Sequence, residues 1–457
     1  MKHSISCIQV CLFLLSLLVN PLLLSAQTKW TSLFNGKDLA GWKLLNGKAP
    51  YEVKNGEIIG RTVVNEPNSF LATENLYDDF ILELEFKLDA DMNSGIQFRS
   101  ESKADFKNGR VHGYQVEIDP SDRAWTGGLY DEARRDWLYT MEYNPKAKVA
   151  YKKNDWNLFR VECIGNVMRV WVNGIPTSHV VDNMTPSGFI ALQVHAIGDK
   201  PEEAGKQIRW RNIRIQTQNL VASPVDDIFV VNLMPNSLSP QEAKNGVRLL
   251  WDGKTTNGWR GAYKTAFPET GWQITDGVLN VMKSMGAEST NGGDIVTIDE
   301  FKAFDLQFEF KLAEGANSGL KYFVTEKEGN KGSAIGLEFQ ILDDEKHPDA
   351  KQGVDGNRTL GSLYDLIPST KIKRGQRTIG AWNNGRVVVY PDNKVEHWVN
   401  GYKVVEYQRG SPNYVALVVK SKYASYANFG MAEKGRILLQ DHGDEVSFRS
   451  IKIKELK

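Results

Sequence analysis

Residues 79–96 read DFILELEFKLDADMNSGI, and residues 303–320 read AFDLQFEFKLAEGANSGL. In both stretches apolar and polar residues alternate up to an Asn-Ser-Gly turn, which is the pattern of a half-buried β-strand. The two stretches also match each other along their length. They therefore predict a β-sheet protein built from a repeated unit.

Further matches occur in the same order in both halves of the chain. LFNGKDLAGW (33–42) pairs with LWDGKTTNGW (250–259), and GGLYD (127–131) pairs with GSLYD (361–365). An ordered series of this kind indicates tandem duplication. The predicted units are a first domain at 29–217, a linker at 218–238 and a second domain at 239–457.

The second domain is expected to open with a short helix. Ser239 can cap it, Pro240 suits its first turn and Glu242 completes a capping box, while Asn245-Gly246 ends it. Elsewhere the strands are short, and Asn-Gly pairs at 173–174, 384–385 and 400–401 predict type I′ hairpins. This pattern predicts an all-β protein of two antiparallel jelly-roll sandwiches.

Composition excludes some partners. The chain has 457 residues, too many for one ordinary core, and its 56 basic and 56 acidic side chains balance. The net charge of the chain therefore gives no indication that it binds nucleic acid or an anionic membrane.

The N-terminus predicts export. Residues 1–26 carry Lys2, an apolar stretch and a Leu-Ser-Ala end, which together read as a secretory signal. We expect a periplasmic, surface or extracellular protein with no membrane insertion after cleavage. Its one remaining cysteine, Cys163, cannot form an intramolecular disulfide and is expected to be a buried, inert thiol.

A strand near the C-terminus raises the question of a site. In GRILLQDHGDEVSFRSIKIKEL (435–456) the run Ile437-Leu438-Leu439 predicts a strand buried on both faces, but polar residues follow it at once. The same end appears in GFIALQVH (188–195). Such an end is either a trimmed strand or the lining of a site, and the candidates are Gln440, His442, Gln193 and His195.

Other strands place polar groups in matched positions. In GLEFQIL (336–342) Glu338 and Gln340 face away from the apolar residues, and Gln115 and Glu117 take similar places in the first domain. After the Asn-Ser-Gly turns, Lys321 shares a face with Phe323, and Gln97 shares one with Arg99. These faces form either a solvated outer surface or, where they converge on a concave sheet, a polar cleft suited to a sugar.

Two further groups have open interpretations. His397 lies on an apolar face and is either a core histidine or a ligand, while its neighbour Trp398 points the other way and could stack on a sugar ring. The loop DDEKHPD (343–349) is either a charged loop or a divalent-metal site, through Asp343, Asp344, His347 and Asp349.

A motif of ordinary glycosidases is incomplete in this chain. EIDPSD (117–122) resembles the Glu-x-Asp-x-x-Glu signature of laminarinase-type enzymes, which need two carboxylates across the glycosidic bond. Here Asp122 stands at the third position, and Pro120 interrupts the strand. Direct two-carboxylate hydrolysis is therefore disfavoured.

The repeats resemble the 3-keto-disaccharide hydrolase domains. The resemblance rests on the two domain entries, the Asn-Ser-Gly turns, GLEFQILDDEKHPDA with GSLYD, EHWVNG and the C-terminal strand pair. It covers nearly all of the chain after the signal, and the first domain departs from it at Val170 and at YQVEID (114–119). It implies two concanavalin A-like jelly rolls that cleave sugars already oxidised at C3, with a separate oxidoreductase making that substrate.

The implied chemistry needs one general base and a group that holds enolate charge, since a C3 ketone acidifies the proton at C2. We assign Glu338 and His442 as base or metal ligands and Tyr364 as an acid; no metal is certain, and a divalent ion is possible. The competing interpretation is a non-catalytic pair of carbohydrate-binding modules. Expected substrate-binding residues are Lys321, Gln340, Gln440, His397, Trp398, Arg99, Gln115, Glu117, Gln193 and His195.

Overall fold

The computed structural model describes residues 29–284, 288–327, 334–372 and 375–457. The predicted signal at 1–26 lies outside these ranges. Within them, no helix is both long and apolar enough to cross a membrane.

The first repeat folds into a nine-stranded sheet packed on a seven-stranded sheet. Four short 3-10 helices lie in its loops, at Lys107–Gly109, Met141–Tyr143, Pro145–Ala150 and Pro201–Glu203. Its strands are β1 (Thr31–Ser32), β2 (Trp42–Asn46), β3 (Tyr51–Lys54), β4 (Glu57–Arg61), β5 (Ser69–Thr73), β6 (Phe80–Leu88), β7 (Ser94–Glu101), β8 (His112–Ile118), β9 (Leu129–Glu132), β10 (Asp136–Tyr139), β11 (Asn157–Ile164), β12 (Val167–Val172), β13 (Ile175–Val181), β14 (Phe189–Val194), β15 (Gln207–Gln216) and β16 (Val231–Asn232).

The second repeat folds into an eight-stranded sheet packed on a five-stranded sheet. A 3-10 helix lies at Pro348–Lys351. The other elements are α1 (Pro240–Lys244), β17 (Arg248–Leu249), β18 (Trp259–Gly261), β19 (Trp272–Thr275), β20 (Val278–Val281), β21 (Ile295–Thr297), β22 (Phe304–Leu312), β23 (Asn317–Val324), β24 (Leu337–Leu342), β25 (Asn383–Val389), β26 (Lys394–Val399), β27 (Tyr402–Gln408), α2 (Pro412–Lys420), β28 (Arg436–Leu439) and β29 (Val446–Glu455).

Strand order explains how each sandwich is built. The sheets of the first domain run β16-β13-β12-β11-β6-β15-β4-β3, with β1 beside β15, and β10-β9-β8-β7-β14-β5-β2. Those of the second run β19-β20-β29-β22-β25-β26-β27, with β17 beside β29, and β18-β21-β28-β23-β24. The alternating residues of β6 and β22 fill the cores between the sheets. The predicted all-β class of two jelly-roll sandwiches is confirmed.

Strand β28 lies in the middle of the five-stranded sheet, between β21 and β23. Ile437 and Leu439 enter the main core, while Leu438 packs into a second apolar cluster. Both faces are therefore covered, as the run of three apolar residues predicts. The polar residues that follow begin where the strand ends.

The segment between the repeats is built into both domains. Val231–Asn232, inside the predicted linker, pairs in parallel with β13. The helix α1 has the expected capping box between Ser239 and Glu242. Glu242 also accepts a 3.0 Å hydrogen bond from Lys452 Nζ on β29, and both side chains are buried.

One of the three Asn-Gly predictions is wrong. Asn173 and Asn400 adopt the positive φ of a hairpin turn, but residues 384–385 lie inside β25. Gly385 is needed there for packing, because a Cβ atom at this position would lie 2.3 Å from Phe308 Cζ. The thiol of Cys163 is buried as expected, and burial raises its pKa to about 12.

Glu242→Ala should destabilise the second domain by about 3–5 kcal/mol, because it leaves the buried Lys452 ammonium without its partner. Chemical unfolding monitored by tryptophan fluorescence measures the change. Lys244→Ala, on the exposed side of the same helix, is the control and should stay within about 0.5 kcal/mol of the parent. Equal losses in both variants would contradict the proposed weight of this ion pair.

Candidate functional site

A cavity of about 240 Å³ opens on the face of the five-stranded sheet that is turned away from the core. It lies where β23, β24 and the end of β28 run side by side. Its walls combine carboxylates, amines, amides and tyrosines. The lining residues are Glu288, Asn317, Lys321, Ile335, Glu338, Gln340, Tyr364, Lys422, Tyr423, Tyr426, Gln440 and His442.

Strand alternation places the central pair. Leu337, Phe339 and Ile341 of β24 belong to the core, so the side chains of Glu338 and Gln340 enter the cavity. Lys321 of β23 lies directly opposite Glu338 in the strand register. This convergence, which strand patterns alone did not establish, brings together the predicted residues of three separate segments.

Glu338 is almost fully buried. Burial raises the pKa of its carboxyl, and the Lys321 and Lys422 ammonium groups lower it in part. Beneath it Gly319 is essential, because a Cβ there would lie 2.1 Å from Glu338 Oε1. With its amide nitrogen turned to this carboxylate, Gln340 donates to Glu338 Oε1 at 3.3 Å.

Lys321 supplies the compensating charge. Burial opposes the charge of its ammonium group, yet the carboxylates of Glu338 and Asp294 raise its pKa above the ordinary value. Its Nζ also lies 3.3 Å from the backbone oxygen of Ala334, to which it donates. The site therefore keeps a buried cation and a buried carboxylate on neighbouring strands.

His442 stands at the rim of the same cavity. Its Nε2 lies 3.2 Å from Asn317 Nδ2, and its Nδ1 lies 3.7 Å from Asp444 Oδ2. Burial opposes protonation, but Asp444, Glu288 and Glu338 raise the pKa of the imidazole above 6.5. The site thus combines a carboxyl group and an imidazole whose pKa values are both raised.

Tyr364 reaches the cavity, but its proton is already engaged. Its hydroxyl donates to Asp349 Oδ2 at 2.8 Å, and burial raises its pKa far above the ordinary value. A hydroxyl held in this way is a poor proton donor to a substrate. The arrangement suits contact with a sugar hydroxyl better than the expected role of acid.

One wall comes from residues that the strand patterns did not indicate. The segment 409–435 contains α2 and supplies Lys422, Tyr423 and Tyr426, and Lys422 Nζ lies 4.2 Å above the Tyr364 ring. Only a short connection, residues 182–188, occupies this place in the first repeat. The insertion and its closely spaced tyrosines were the available signal.

Two predicted substrate-binding residues lie elsewhere. His397 is fully buried in the core, where its ring nitrogens contact Tyr322 Oη at 2.8 Å and Gly361 O at 3.0 Å, and burial lowers its pKa to about 4. Trp398 stacks on Tyr143 of the first domain at 5.7 Å. The expectation that these two residues bind substrate in the cavity is wrong.

Arg99 and Phe323 leave the predicted face for the same reason. Each lies at a β-bulge, with φ of +44° and +57°, and the bulge turns the following side chains over. Arg99 is buried and donates to Asp78 O at 2.7 Å and to Asp79 Oδ1 at 2.9 Å. The placement of Arg99 beside Gln97 in a cleft is therefore wrong.

The first domain has amides at the places of the charged residues Lys321 and Glu338. Gln97 and Gln115 stand where the strand register of the second domain has Lys321 and Glu338, and Gln97 Nε2 donates to Gln115 Oε1 at 2.7 Å. Glu117 stands at the place of Gln340. Asn93 and Gln115 donate to Glu117, and burial raises its pKa to about 7.

The predicted residues at the end of β14, Gln193 within the strand and His195 just after it, also differ from Gln440 and His442 of the second domain. Gln193 is fully buried. Ser94 Oγ donates a 2.6 Å hydrogen bond to the backbone oxygen of Gln193. His195 Nδ1 lies 2.7 Å from Ala196 O, and burial lowers its pKa. The pKa of this histidine is thus shifted in the opposite direction from that of His442.

Within the described ranges, His347 is the one member of the predicted loop that belongs to a group able to hold a divalent ion. Asp343 is occupied by backbone amides of its own turn and of Gly315, and Asp344 by Lys371. Among the described residues, one group combines three potential ligand atoms within 4.8 Å, namely His347, His442 and Asp444.

The donor chemistry of this group does not fit an ion as it stands. His347 Nδ1 accepts a hydrogen bond from the backbone nitrogen of Asp349 at 3.2 Å, which leaves the proton of a neutral ring on Nε2. That Nε2 faces Asp444 Oδ2 at 4.0 Å. A protonated nitrogen cannot be a metal ligand, so no catalytic step is assigned to an ion here.

A family model and a named relative both match this chain. The family of 3-keto-alpha-glucoside-1,2-lyase-like domains matches residues 29–216 and 246–454. A 3-keto-disaccharide hydrolase from Bacteroides thetaiotaomicron is 36% identical over 262 residues, which cover 53% of this chain and 89% of that protein.

Two crystal structures from Parabacteroides distasonis, both described as glycosyl hydrolases, are also similar. One is 31% identical, with a TM-score of 0.43, and covers 49% of this chain and 100% of its own. The other is 28% identical, with a TM-score of 0.32, and covers 44% of this chain and 100% of its own.

The family model accounts for most of the chain in two successive stretches, which confirms the resemblance found in the sequence. The chain belongs to the 3-keto-alpha-glucoside-1,2-lyase-like domain family, and it is a carbohydrate hydrolase that carries the domain of this family twice.

Proposed function

We propose that the second domain cleaves 3-keto-glycosides by elimination followed by hydration. The observation that carries the proposal is the buried Glu338 carboxylate, which lies opposite Lys321 and shares one cavity with His442. The relative from Bacteroides thetaiotaomicron bears the name of a 3-keto-disaccharide hydrolase, which supports the same substrate class.

Glu338 is the general base of the elimination. It removes the proton from C2. The electron pair of the C2–H bond then forms an enolate with the C3 ketone, and Lys321 binds the enolate oxygen. The enolate then expels the substituent at C1, so that the C1–O bond breaks as a C1=C2 bond forms. His442, as imidazolium, gives its proton to the departing oxygen.

Hydration restores both groups. The neutral His442 takes a proton from water as its oxygen bonds to C1, and the protonated Glu338 returns its proton to C2. The products are an alcohol or sugar and a free 3-keto sugar. Net hydrolysis is therefore reached with one base and one acid, without the two opposed carboxylates of ordinary glycosidases.

The remaining lining residues bind the sugar. Gln340, Gln440 and Asn317 present amides to hydroxyl groups, while Tyr423 and Tyr426 give an aromatic wall. Lys422 adds a second positive charge near the ketone. These groups fix C2 and C3 against the base.

The first domain is proposed to be non-catalytic, because Gln97 and Gln115 stand at the places of Lys321 and Glu338, and a neutral amide is not a general base. The specific observation that favours the binding-module alternative is this neutral amide pair. The whole chain would be a non-catalytic carbohydrate-binding protein only if the second domain also failed to cleave the substrate.

The setting remains part of the proposal. The C3 ketone must arise by oxidation, so a separate oxidoreductase is expected to supply the substrate. From the predicted signal at 1–26 we expect both reactions to take place outside the cytoplasm, in the periplasm, at the surface or in the medium.

The enzyme should release the aglycone from a 4-nitrophenyl 3-keto-glucoside and leave the parent 4-nitrophenyl glucoside intact, because only the ketone acidifies the C2 proton. Glu338→Gln should lower turnover by about 10²–10⁴-fold through loss of the base. Nitrophenol release measures both effects.

Glu300→Gln, on an exposed carboxylate, is the matched control and should keep full turnover. Equal rates on the parent glucoside would contradict the elimination. Full turnover by a folded Glu338→Gln protein would remove Glu338 as the base.

The dependence of turnover on pH should be bell-shaped. The pKa of Glu338 is raised above 4.5, so the base is lost as pH falls through that raised value; the pKa of His442 is raised above 6.5, so the acid is lost as pH rises through it. Initial rates across pH give the profile. His442→Gln should abolish the alkaline limb and keep the acidic one; an unchanged alkaline limb in this variant would assign it to another group.

Chelation should leave turnover within about twofold, because His347 presents a protonated nitrogen to the only three-ligand group found in the described ranges. The test is the same assay after dialysis against EDTA, with EDTA saturated by Ca²⁺ as the control. Loss of turnover that Mn²⁺, Co²⁺ or Zn²⁺ restores would show instead that His347 changes its hydrogen bonding and the group binds an ion.

A further inference from the structure

A second cavity, of about 320 Å³, lies between the two domains and shares no lining residue with the first. The β9–β10 hairpin of the first domain forms one wall, and residues 376–381 with the start of β27 form the other. Its size falls in the range of about 300–1,000 Å³ that small-molecule sites occupy. A single water fills only about 30 Å³, so the space exceeds a hydration pocket.

Arg377 brings to this cavity a guanidinium that forms no ion pair within the described ranges. Its Nη1 donates to Arg135 O at 2.7 Å, while its Nη2 makes no hydrogen bond to the described residues. Burial and the Arg135 guanidinium lower its pKa. A ligand oxygen in the cavity would supply the missing acceptor.

Asp136 brings the opposite charge to the same space. Its Oδ1 accepts from Tyr130 Oη at 2.7 Å, and within the described part of the chain it forms no ion pair. The neighbouring Arg135 is already paired, since Asp131 and Asp182 bind its guanidinium at 2.6 and 2.5 Å. One open donor and one open acceptor of opposite charge suit a neutral ligand that can both accept and donate.

Aromatic side chains complete the lining. Trp137 is fixed by edge-on contacts with Trp125 at 4.7 Å and Tyr130 at 5.2 Å, and Tyr402 lines the cavity from the second domain. The cavity thus offers an apolar ring together with one hydrogen-bond donor and one acceptor. This combination matches a sugar, whose C–H face is apolar and whose rim carries hydroxyls.

We propose that this cavity is a second, non-catalytic saccharide site for a neutral, unoxidised sugar unit. Trp137 packs on the sugar face, Arg377 donates to one hydroxyl and Asp136 accepts from another. The site requires both domains, and it stands whether or not the second domain performs the proposed elimination. It gives the duplicated chain a means of holding a saccharide while a different unit is cleaved.

The test uses the full chain without its signal and four probes, namely trehalose, sucrose, cellobiose and maltotriose. Saturation-transfer NMR and calorimetry should show binding of at least one probe. Trp137→Ala and, separately, Asp136→Asn should weaken that binding about tenfold or more, while turnover on the 4-nitrophenyl 3-keto-glucoside stays within twofold. Asp136→Asn keeps the shape of the side chain, which separates loss of the acceptor from loss of folding.

Tyr426→Ala, which alters the wall of the first cavity, is the matched control. It should lower turnover and leave binding of the probe unchanged. Absence of binding for all four probes, or binding that Trp137→Ala and Asp136→Asn leave intact, would overturn the proposal. Binding lost only in Tyr426→Ala would assign the saccharide to the first cavity and overturn it as well.

Discussion

The site depends on one buried pair of charges, Glu338 and Lys321, on neighbouring strands of the five-stranded sheet. A carboxylate removed from water is costly unless a positive charge or hydrogen bonds compensate it. Lys321 supplies that compensation across the strand register, and Gly319 leaves the space beneath the carboxylate. The Lys321 ammonium thus offsets part of the rise that burial causes in the pKa of Glu338.

The same constraint explains how the two copies differ. Core positions of both copies must fill a sandwich at crystal-like density, so the apolar alternation of β6 and β22 is kept. The residues that line the cavity do not have to fill the core in this way. In the first copy an amide pair takes the places of Lys321 and Glu338, and the buried carboxyl, Glu117, stands instead at the place of Gln340, where burial raises its pKa to about 7.

Strand periodicity predicted the fold and the polar face of β24, because a period of two assigns each side chain to a face. It left open whether Glu338 and Gln340 face solvent or a cleft, and the structure places them with Gln440 in one cavity. It failed at Arg99, where a bulge inserts one residue and reverses the faces beyond it. No local pattern marks such a bulge, since the residue there is an ordinary polar side chain.

Other parts of the site depend on contacts between distant segments, which local pattern cannot supply. Lys422 enters the cavity from an insertion that has no counterpart in the first repeat, so comparison of the repeats could not place it. The position of Trp398 on its own strand suggested that its ring could stack on a sugar. In the structure the ring stacks instead on Tyr143, which belongs to the other domain. Its burial is a property of the assembled pair.

The contact between domains gives the first copy a role that does not require catalysis. Besides the Trp398–Tyr143 stack, Thr140 Oγ1 donates to Gly401 O at 2.5 Å, and Trp125 lies 5.6 Å from Tyr402. These contacts cover the β26–β27 hairpin of the second domain, which would otherwise expose two large aromatic rings. The first domain, which has an amide pair at the places of Lys321 and Glu338, thus covers apolar surface of the second domain.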